Sequence, residues 1–366
     1  MNHGDNDTIG ILDTIGSFQT HPEPEGPAAV SADAPTHAPT ETIGDMATMS
    51  EDGRIVLAGR YVVVKRLWEG GMGSIWLAED RKLDNRKVAV KMLPAVLAGK
   101  KAAYKQVKTE ALMAMRLSHP NIATVRSFEE DEGCNPFLVM DYIEGKGLDD
   151  ILSDKGTLTE EETVKLLGPV AAALDYAHAM KVVHRDVKPG NVMVEKDGKP
   201  FVLDFGIARE IQETMTRVTG KLSSGTLPYM SPEQLHGRSP KAAQDVYSFA
   251  AMAYECLTGN PPFTFGQIEY QIDHDAPEPL PEGVSSSLSR HILAGLAKDP
   301  KERPGSCMGV LALDEAEKRE KHRWVLEEAR RLREAELSRE RREKCCAFFT
   351  VGIVLFLSFI LIRLLF

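Results

Sequence analysis

Residues 184–191 read HRDVKPGN, and the tripeptide DFG follows at residues 204–206. The two segments bring two carboxylates, Asp186 and Asp204, and the carboxamide of Asn191 into one short stretch of chain. Hard oxygen ligands of this kind suit Mg²⁺, which usually binds through one or two carboxylates together with phosphate groups. The stretch therefore predicts a site that handles a metal ion and phosphate groups together.

Two motifs lie upstream of this stretch. Residues 67–75, LWEGGMGSI, place glycines between two β-rich segments, where backbone N–H groups can approach a phosphate without a Cβ in the way. Residues 88–91, VAVK, end an alternating segment on Lys91, which is expected to point into a cleft beneath the glycines. Glu110, on a helix predicted from about residue 102 to residue 117, is expected to hold Lys91 by an ion pair. Each motif alone is weak evidence, because glycine-rich turns and solvated strand lysines are common.

The order of the secondary-structure signals predicts an α+β fold. β-rich runs at residues 61–67, 74–79 and 87–92 come first, and after residue 141 the sequence is mostly helical with Pro and Gly turns. A small β-rich lobe followed by a larger helical lobe predicts a cleft between the two. The folded part is expected to span residues 59–313.

With Ser231-Pro232-Glu233 downstream, the motifs occur in one fixed order: glycine loop, lysine, glutamate, HRD…K…N, DFG and SPE. In this order the chain resembles the eukaryotic-type (Hanks-type) serine/threonine protein kinases. Its GGMG and GTLPYMSPEQ segments look most like those of the bacterial transmembrane members. The resemblance covers residues 59–313 and implies a bilobal protein-kinase fold, with a β-rich N-lobe at about 59–140 and a helical C-lobe at about 144–313.

The resemblance also implies ATP and Mg²⁺ as cofactors and a role for each motif residue. Asp186 is expected to accept the proton of the substrate hydroxyl, and Lys188 to neutralise the transferred phosphoryl group. Asn191 and Asp204 are expected to hold Mg²⁺. The nucleotide-binding residues implied are Gly70, Gly71 and Gly73 over the phosphates, Lys91 with Glu110 at the α- and β-phosphates, Ile75, Ala89 and Met193 around the adenine, Met140 as gatekeeper and Ile143 in the hinge.

Specificity for serine and threonine is implied by Lys188 in HRDxKxxN and by Thr226, which is expected to lie near Asp186 and shape the P+1 pocket. Arg185, beside the catalytic aspartate, implies control by a phosphorylated activation loop at residues 207–230. The candidate phosphorylation sites are Thr219 and, second, Thr216, each of which is otherwise an ordinary polar loop residue.

Trp68 departs from the family pattern, because it replaces the first glycine of the loop motif and adds bulk at the entry of the loop. Every residue implied in metal binding and phosphoryl transfer is nevertheless present. The sequence therefore predicts an active serine/threonine protein kinase with protein substrates as partners, which also phosphorylates its own activation loop. A pseudokinase or a membrane scaffold that binds partners without phosphoryl transfer is the alternative.

The first 58 residues differ in composition from the remainder. They hold ten acidic residues and one basic residue, so a disordered acidic tail is predicted, because such a segment buries too little apolar area to offset its ordering entropy. An acid–Thr–Ile–Gly tetrad recurs at residues 7–10, 13–16 and 41–44, either by chance or as phosphorylation or docking sites. The remaining chain carries 44 acidic and 43 basic residues, so the exclusion of nucleic acid as a partner rests on the kinase motifs.

The C-terminal residues predict a membrane anchor. Residues 314–344 are dense in both acidic and basic side chains, which predicts a charged juxtamembrane helix. Residues 345–366, CCAFFTVGIVLFLSFILIRLLF, begin with 18 uncharged residues, which is long enough for a transmembrane helix. Basic residues just before this span predict that the kinase domain faces the cytoplasm at the cell membrane. A homodimer is left open, and five cysteines without a CxxC pair exclude a disulfide framework.

Overall fold

The computed structural model describes residues 48–49, 53–70, 73–94, 101–130, 135–205 and 226–311. The expectations for the acidic tail before residue 48, the charged helix at 314–344 and the apolar segment at 345–366 lie outside the described residues. So do those for Gly71, Thr216 and Thr219. Within the described ranges, no helix is both long and apolar enough to cross a membrane.

The N-lobe is an antiparallel sheet with one helix packed against it. Its strands are β1 Thr48–Met49, β2 Ile55–Leu57, β3 Tyr61–Gly70, β4 Gly73–Asp80, β5 Arg86–Met92, β6 Val125–Glu129 and β7 Phe137–Asp141, in the order β1-β2-β3-β4-β5-β7-β6. Helix α1, Lys101–Ala114, buries Val107, Ala111 and Ala114, which are spaced at helical intervals. The predicted β-rich runs and the predicted helix are confirmed here, with somewhat different ends.

The sheet begins earlier than the sequence analysis expected. Strand β2 lies within residues 1–58, and pairs Val56 with Val62 and Leu57 with Tyr61. Val56 and Leu57 are 4% and 1% exposed, so the predicted disorder is wrong for this triplet. Three consecutive apolar residues can bury their side chains against the next strand, which offsets the ordering entropy that the acidic composition alone could not.

The C-lobe is helical. Its helices are α2 Leu148–Lys155, α3 Glu160–Ala179, α4 Pro232–Leu235, α5 Ala242–Thr258, α6 Ile268–His274, α7 Ser286–Gly295 and α8 Cys307–Val310. The C-lobe also holds a small antiparallel sheet of three strands, β8 Gly145–Gly147, β9 Val192–Glu195 and β10 Pro200–Val202. Strand β9 directly follows the HRD segment in sequence, and strand β10 precedes the DFG segment. Together the β-rich N-lobe and the helical C-lobe confirm the predicted bilobal α+β fold.

Helix α5 is the centre of the C-lobe. From Gln244 to Tyr254 every residue is buried, as expected for a helix surrounded by other elements on all sides. It packs against α3, α7 and α8. Helix α7 approaches closely at Gly295, where an added Cβ would lie 2.6 Å from the Cβ of Ala250. The local sequence also sets the ends of these helices: Thr159 and Glu162 form a capping box that starts α3, and Gly259 ends α5 in a left-handed conformation.

A buried ion pair joins α4 to the chain that leads into α8. The Arg303 guanidinium donates to both carboxylate oxygens of Glu233, at 2.9 and 2.7 Å. Its remaining donors reach the carbonyls of Ala297, Ala243 and Lys298. Every N–H direction of the guanidinium is therefore used, which is the condition under which a buried charge is tolerated.

Substitution of Glu233 by Ala should destabilise the fold by about 3–5 kcal/mol, because Arg303 would keep its charge in a site without a carboxylate. Urea denaturation of the two proteins measures this loss. Lys146→Ala is the control, because it breaks the exposed Lys146–Asp154 pair and should leave the midpoint almost unchanged. Equal effects of the two substitutions would contradict the role assigned to Glu233.

Candidate active site

The HRD segment is held from below by one carboxylate. Asp245, on α5 and wholly buried, accepts the backbone N–H of His184 at 2.7 Å and that of Arg185 at 2.8 Å. His178 on α3 contacts the same carboxylate, with Nε2 2.7 Å from Oδ2. Burial opposes the charge of Asp245, but the His178 hydrogen bond and the two amides hold its pKa below the usual range. Asp245 therefore anchors the HRD segment to helix α5.

His184 joins the HRD segment to the DFG segment. Its Nε2 lies 2.7 Å from the carbonyl oxygen of Leu203, and its Nδ1 lies 3.2 Å from the backbone nitrogen of Asp186. These partners fix the tautomer, because Nε2 must donate to the carbonyl while Nδ1 accepts from the amide. The ring also packs on buried Phe205 with centroids 4.6 Å apart. The two motifs therefore form one rigid unit.

The Asp186 carboxylate is buried, and its two oxygens differ in their hydrogen bonds to the described residues. Oδ2 lies 2.8 Å from the amide nitrogen of Asn191 and 2.9 Å from the Lys188 ammonium. Oδ1 is buried and has no hydrogen-bond partner in the part of the chain that the structure describes. Burial raises the pKa of Asp186, but the charge of Lys188 and the hydrogen bonds from Lys188 and Asn191 act together against burial, and the net pKa lies below the usual range. The group is therefore an anion with one oxygen able to receive a proton donor.

Lys188 connects this carboxylate to Thr226. Its ammonium donates to Thr226 Oγ1 at 2.9 Å while it contacts Asp186, and Thr226 is 2% exposed. The expected proximity of Thr226 to Asp186 is therefore made through the lysine. A hydroxyl acceptor presented beside Thr226 would meet the anion and the cation together.

The Lys91–Glu110 ion pair expected from the sequence is wrong for this structure. Lys91 instead contacts Asp204 at 2.6 Å, and Glu110 contacts Arg185 at 3.0 Å. The Lys91 side chain is 3% exposed, so its charge needs a partner, and the Asp204 carboxylate provides it. With Lys91 neutralised in this way, Glu110 pairs with the guanidinium of the HRD segment.

Two residues of this site adopt unusual backbone conformations. Arg185 has φ +68° and Asp204 has φ +59°, both in the left-handed region that non-glycine residues avoid. Such conformations cost about 1–3 kcal/mol each and persist only where the surrounding contacts enforce them. At Arg185 the enforcing contact is the bond from its N–H to Asp245.

The residues proposed for Mg²⁺ have ligand atoms to offer. Asp204 Oδ1 is buried and lacks a hydrogen-bond partner among the described residues. The amide nitrogen of Asn191 donates to the Asp186 carbonyl at 2.6 Å and to its carboxylate at 2.8 Å, which leaves the Asn191 side-chain oxygen for a ligand. A carboxylate oxygen and an amide oxygen form a donor set that fits Mg²⁺.

The expected nucleotide-binding residues lie on the strands around this centre. Gly73 pairs with Gly70 across the β3–β4 hairpin and has φ +115°, and an added Cβ would lie 2.1 Å from the Met92 carbonyl oxygen. Only glycine can therefore occupy position 73. The others are placed as follows: Ala89 and Met140 are buried and paired across β5 and β7, and Ile75 in β4, Ile143 after β7 and Met193 in β9 are half-buried. Trp68 pairs with Ile75 and is 47% exposed, outside the core.

Two residues near the site were missed by the sequence analysis. His178 supports Asp245, and Glu255 on α5 accepts the Tyr229 hydroxyl at 2.7 Å. Burial, together with the charge of Asp149, raises the pKa of Glu255 to about 7. The available signal for Glu255 was an acidic residue inside the apolar run of α5, whereas nothing local distinguished His178.

The fold and this site define a protein kinase. Residues 61–325 match the family model described as Protein kinase domain, so the chain belongs to that family. It is 38% identical over 257 residues to the serine/threonine-protein kinase PknB of Mycobacterium tuberculosis, covering 68% of this chain and 41% of that protein. It is 34% identical over 262 residues to PknA of the same organism, covering 70% of this chain and 60% of that protein. The chain therefore carries a protein kinase domain similar to those of the bacterial Hanks-type serine/threonine kinases, and it spans less than two thirds of the length of these relatives.

Solved structures agree with this assignment. A mutant of the PknI kinase domain of Mycobacterium tuberculosis matches with a TM-score of 0.54 at 27% identity, over 70% of this chain and 94% of that one. A double mutant of the same domain matches with a TM-score of 0.56 over 95% of its length.

Replacing Thr226 by Val should lower kcat by about ten- to a hundredfold, because the hydrogen bond from the Lys188 ammonium is lost while the side chain keeps its shape. Thr226→Ser keeps the hydroxyl and should retain most of the activity. Steady-state phosphoryl transfer to a protein substrate at saturating ATP measures both. Equal rates for the Val and Ser variants would show that the Lys188–Thr226 bond has no part in catalysis.

Proposed function

We propose that this chain transfers the γ-phosphate of ATP to serine and threonine hydroxyls of proteins, including its own activation loop, while anchored to the membrane by its C-terminal segment. The observation that carries the proposal is the buried Oδ1 of Asp186, which has no hydrogen-bond partner among the described residues, while Asn191 and Lys188 hold Oδ2. A carboxylate held in this way can orient an acceptor hydroxyl and receive its proton.

In the proposed reaction, Asp186 Oδ1 accepts a hydrogen bond from the substrate hydroxyl and aligns its oxygen with the γ-phosphorus. Lys188, fixed between Asp186 and Thr226, places its positive charge where the transferred group gains negative charge. Catalysis of this kind consists mainly of positioning and electrostatic stabilisation of an in-line transfer. Asp204 and Asn191 would hold Mg²⁺, which would supply further neutralisation of the negative charge on the phosphate groups.

The charge pairs support a proposal for control by the activation loop. Arg185 pairs with Glu110 and Lys91 with Asp204, so the cations and anions around the phosphate site are paired with one another. A phosphate on Thr219, or second on Thr216, would add about −1.5 to −2 charge and compete with Glu110 for Arg185. Glu110 would then be released toward Lys91, and Asp204 toward the metal.

The transfer reaction is tested with labelled ATP and the full chain, followed by mapping of phosphorylated residues. The expected result is label on a protein substrate and on Thr219 or Thr216, and loss of nearly all label in Asp186→Asn. Asp197→Asn, in the exposed turn between β9 and β10, is the matched control and should behave as the parent. A parent protein that binds ATP but transfers no label would contradict the proposed activity, and label confined to other residues would contradict the regulatory sites.

The anchor is tested separately by expressing the chain with and without residues 345–366. The full chain should remain with the membrane pellet after an alkaline carbonate wash, because about 20 apolar residues suffice to span the bilayer. The shortened chain should appear in the supernatant with its transfer activity intact. Release of the full chain by the wash would rule out a spanning segment.

A further inference from the structure

Three side chains with metal-binding atoms meet on the C-lobe, and none of them belongs to the HRD or DFG segments. Asp175 and His178 lie one turn apart on α3, and Cys307 is the first residue of α8. One ligand atom from each side chain lies within 4.8 Å of the other two. Cys307 is completely buried, and the side chains of Asp175 and His178 are 19% and 11% exposed. The cluster is therefore enclosed with a narrow access to solvent.

A carboxylate orients His178 in the way that metal-binding histidines are usually oriented. Nε2 of His178 lies 2.7 Å from Asp245 Oδ2, while Nδ1 lies 3.9 Å from Asp175 Oδ1. Metal-ligating histidines nearly always donate their second ring N–H to a carboxylate or a carbonyl, which fixes the ring and raises the basicity of the ligating nitrogen. Asp245 supplies that partner from the opposite side of the ring, so that Nδ1 faces Asp175 and Cys307.

Asp175 is itself held in place by backbone groups of α8. It accepts the N–H of Cys307 at 2.8 Å on one oxygen and the N–H of Met308 at 3.1 Å on the other. A carboxylate oxygen that accepts a backbone N–H can also ligate a metal ion, because it is an acceptor with more than one lone pair. The two hydrogen bonds fix the position of Cys307 relative to α3, and the three donors are therefore preorganised across two helices.

We propose that Asp175, His178 and Cys307 bind one divalent transition-metal ion, for which the chemistry favours Zn²⁺. A thiolate, an imidazole and a carboxylate form a mixed donor set typical of zinc, with a fourth position open to water. On binding, Sγ of Cys307 loses its proton to solvent, and the thiolate and the carboxylate together balance the charge of the ion. Tetrahedral zinc places its ligand atoms about 3.3–3.8 Å apart, so the cluster must contract by about 1 Å.

A metal ion at this cluster would stabilise the fold around the catalytic loop and would take no direct part in phosphoryl transfer. The ion would join α3 to α8 directly and, through His178, would fix the Asp245 carboxylate that accepts the backbone N–H groups of His184 and Arg185. His178 is thus a positioning residue for the catalytic loop. The site differs in donor type from the Asp204–Asn191 pair, which offers only oxygen, so the two would select different ions.

The test uses the full-length chain with one cysteine at a time, and Co²⁺ as a spectroscopic substitute for Zn²⁺. In the first variant Cys307 is the only cysteine (Cys134→Ser, Cys256→Ala, Cys345→Ser, Cys346→Ser). In the matched control Cys256, the other described cysteine and likewise fully buried, is the only one (Cys134→Ser, Cys307→Ala, Cys345→Ser, Cys346→Ser). The Cys307 protein should develop a thiolate-to-cobalt charge-transfer band at about one equivalent of Co²⁺, reversed by Zn²⁺, and the Cys256 protein should not.

The Cys307 protein alone decides the proposal, whether or not the control folds. No thiolate band, or a band that millimolar Mg²⁺ abolishes, would overturn it. Asp175→Asn in the Cys307 protein should raise the dissociation constant for Co²⁺ at least tenfold, because an anionic ligand is lost. An unchanged constant would assign the thiolate to a different metal site and would also overturn the proposal.

Discussion

The buried carboxylate of Asp245 is the constraint on which the site depends. It lies in the centre of the helical lobe, where an unpaired charge would be very costly, and it is stable there because two backbone amides and one imidazole donate to it. The two amides belong to consecutive residues of the HRD segment. The need to hydrogen-bond the buried carboxylate therefore also determines the path of the catalytic loop. One of these residues, Arg185, takes a left-handed conformation to present its N–H.

The same requirement explains how charge is arranged above the loop. Lys91, Asp204, Glu110 and Arg185 are two cations and two anions in a confined space, and each cation must have an anionic partner. The pairs Lys91–Asp204 and Arg185–Glu110 satisfy this condition. A second arrangement, with Lys91 paired to Glu110, leaves Arg185 and Asp204 in need of other partners. The second becomes favourable only when other groups compensate Arg185 and Asp204. A phosphate and a metal ion are groups of the required sign, which connects the electrostatics of the cleft to the chemistry proposed for it.

The sequence predicted the residue types of the site well and their pairing less well. HRDVKPGN and DFG are local patterns, so Asp186, Lys188 and Asn191 could be identified from these motifs and the resemblance that they carry. The partner of Lys91 depends on how α1 and the DFG segment lie relative to β5, which is a property of tertiary structure. His178, Asp245 and Cys307 are separated by large distances in sequence, and no local pattern indicates that helices α3, α5 and α8 bring them together.

Composition misled the sequence analysis at one boundary for a related reason. Residues 1–58 are acidic on average, but Ile55-Val56-Leu57 is an apolar triplet next to the first long strand, and local burial determined its conformation. The partner of Lys91 and the conformation of this triplet both depended on which surface the residues contact in the folded chain. Helix α5 illustrates this dependence. It carries Asp245, which holds the catalytic loop, and Glu255, which accepts the Tyr229 hydroxyl. It also has an alanine, Ala250, where α7 crosses at Gly295. A carboxylate on a helix so enclosed is stable only where fixed donors satisfy it, and therefore each of these two carboxylates marks a contact that the fold must make.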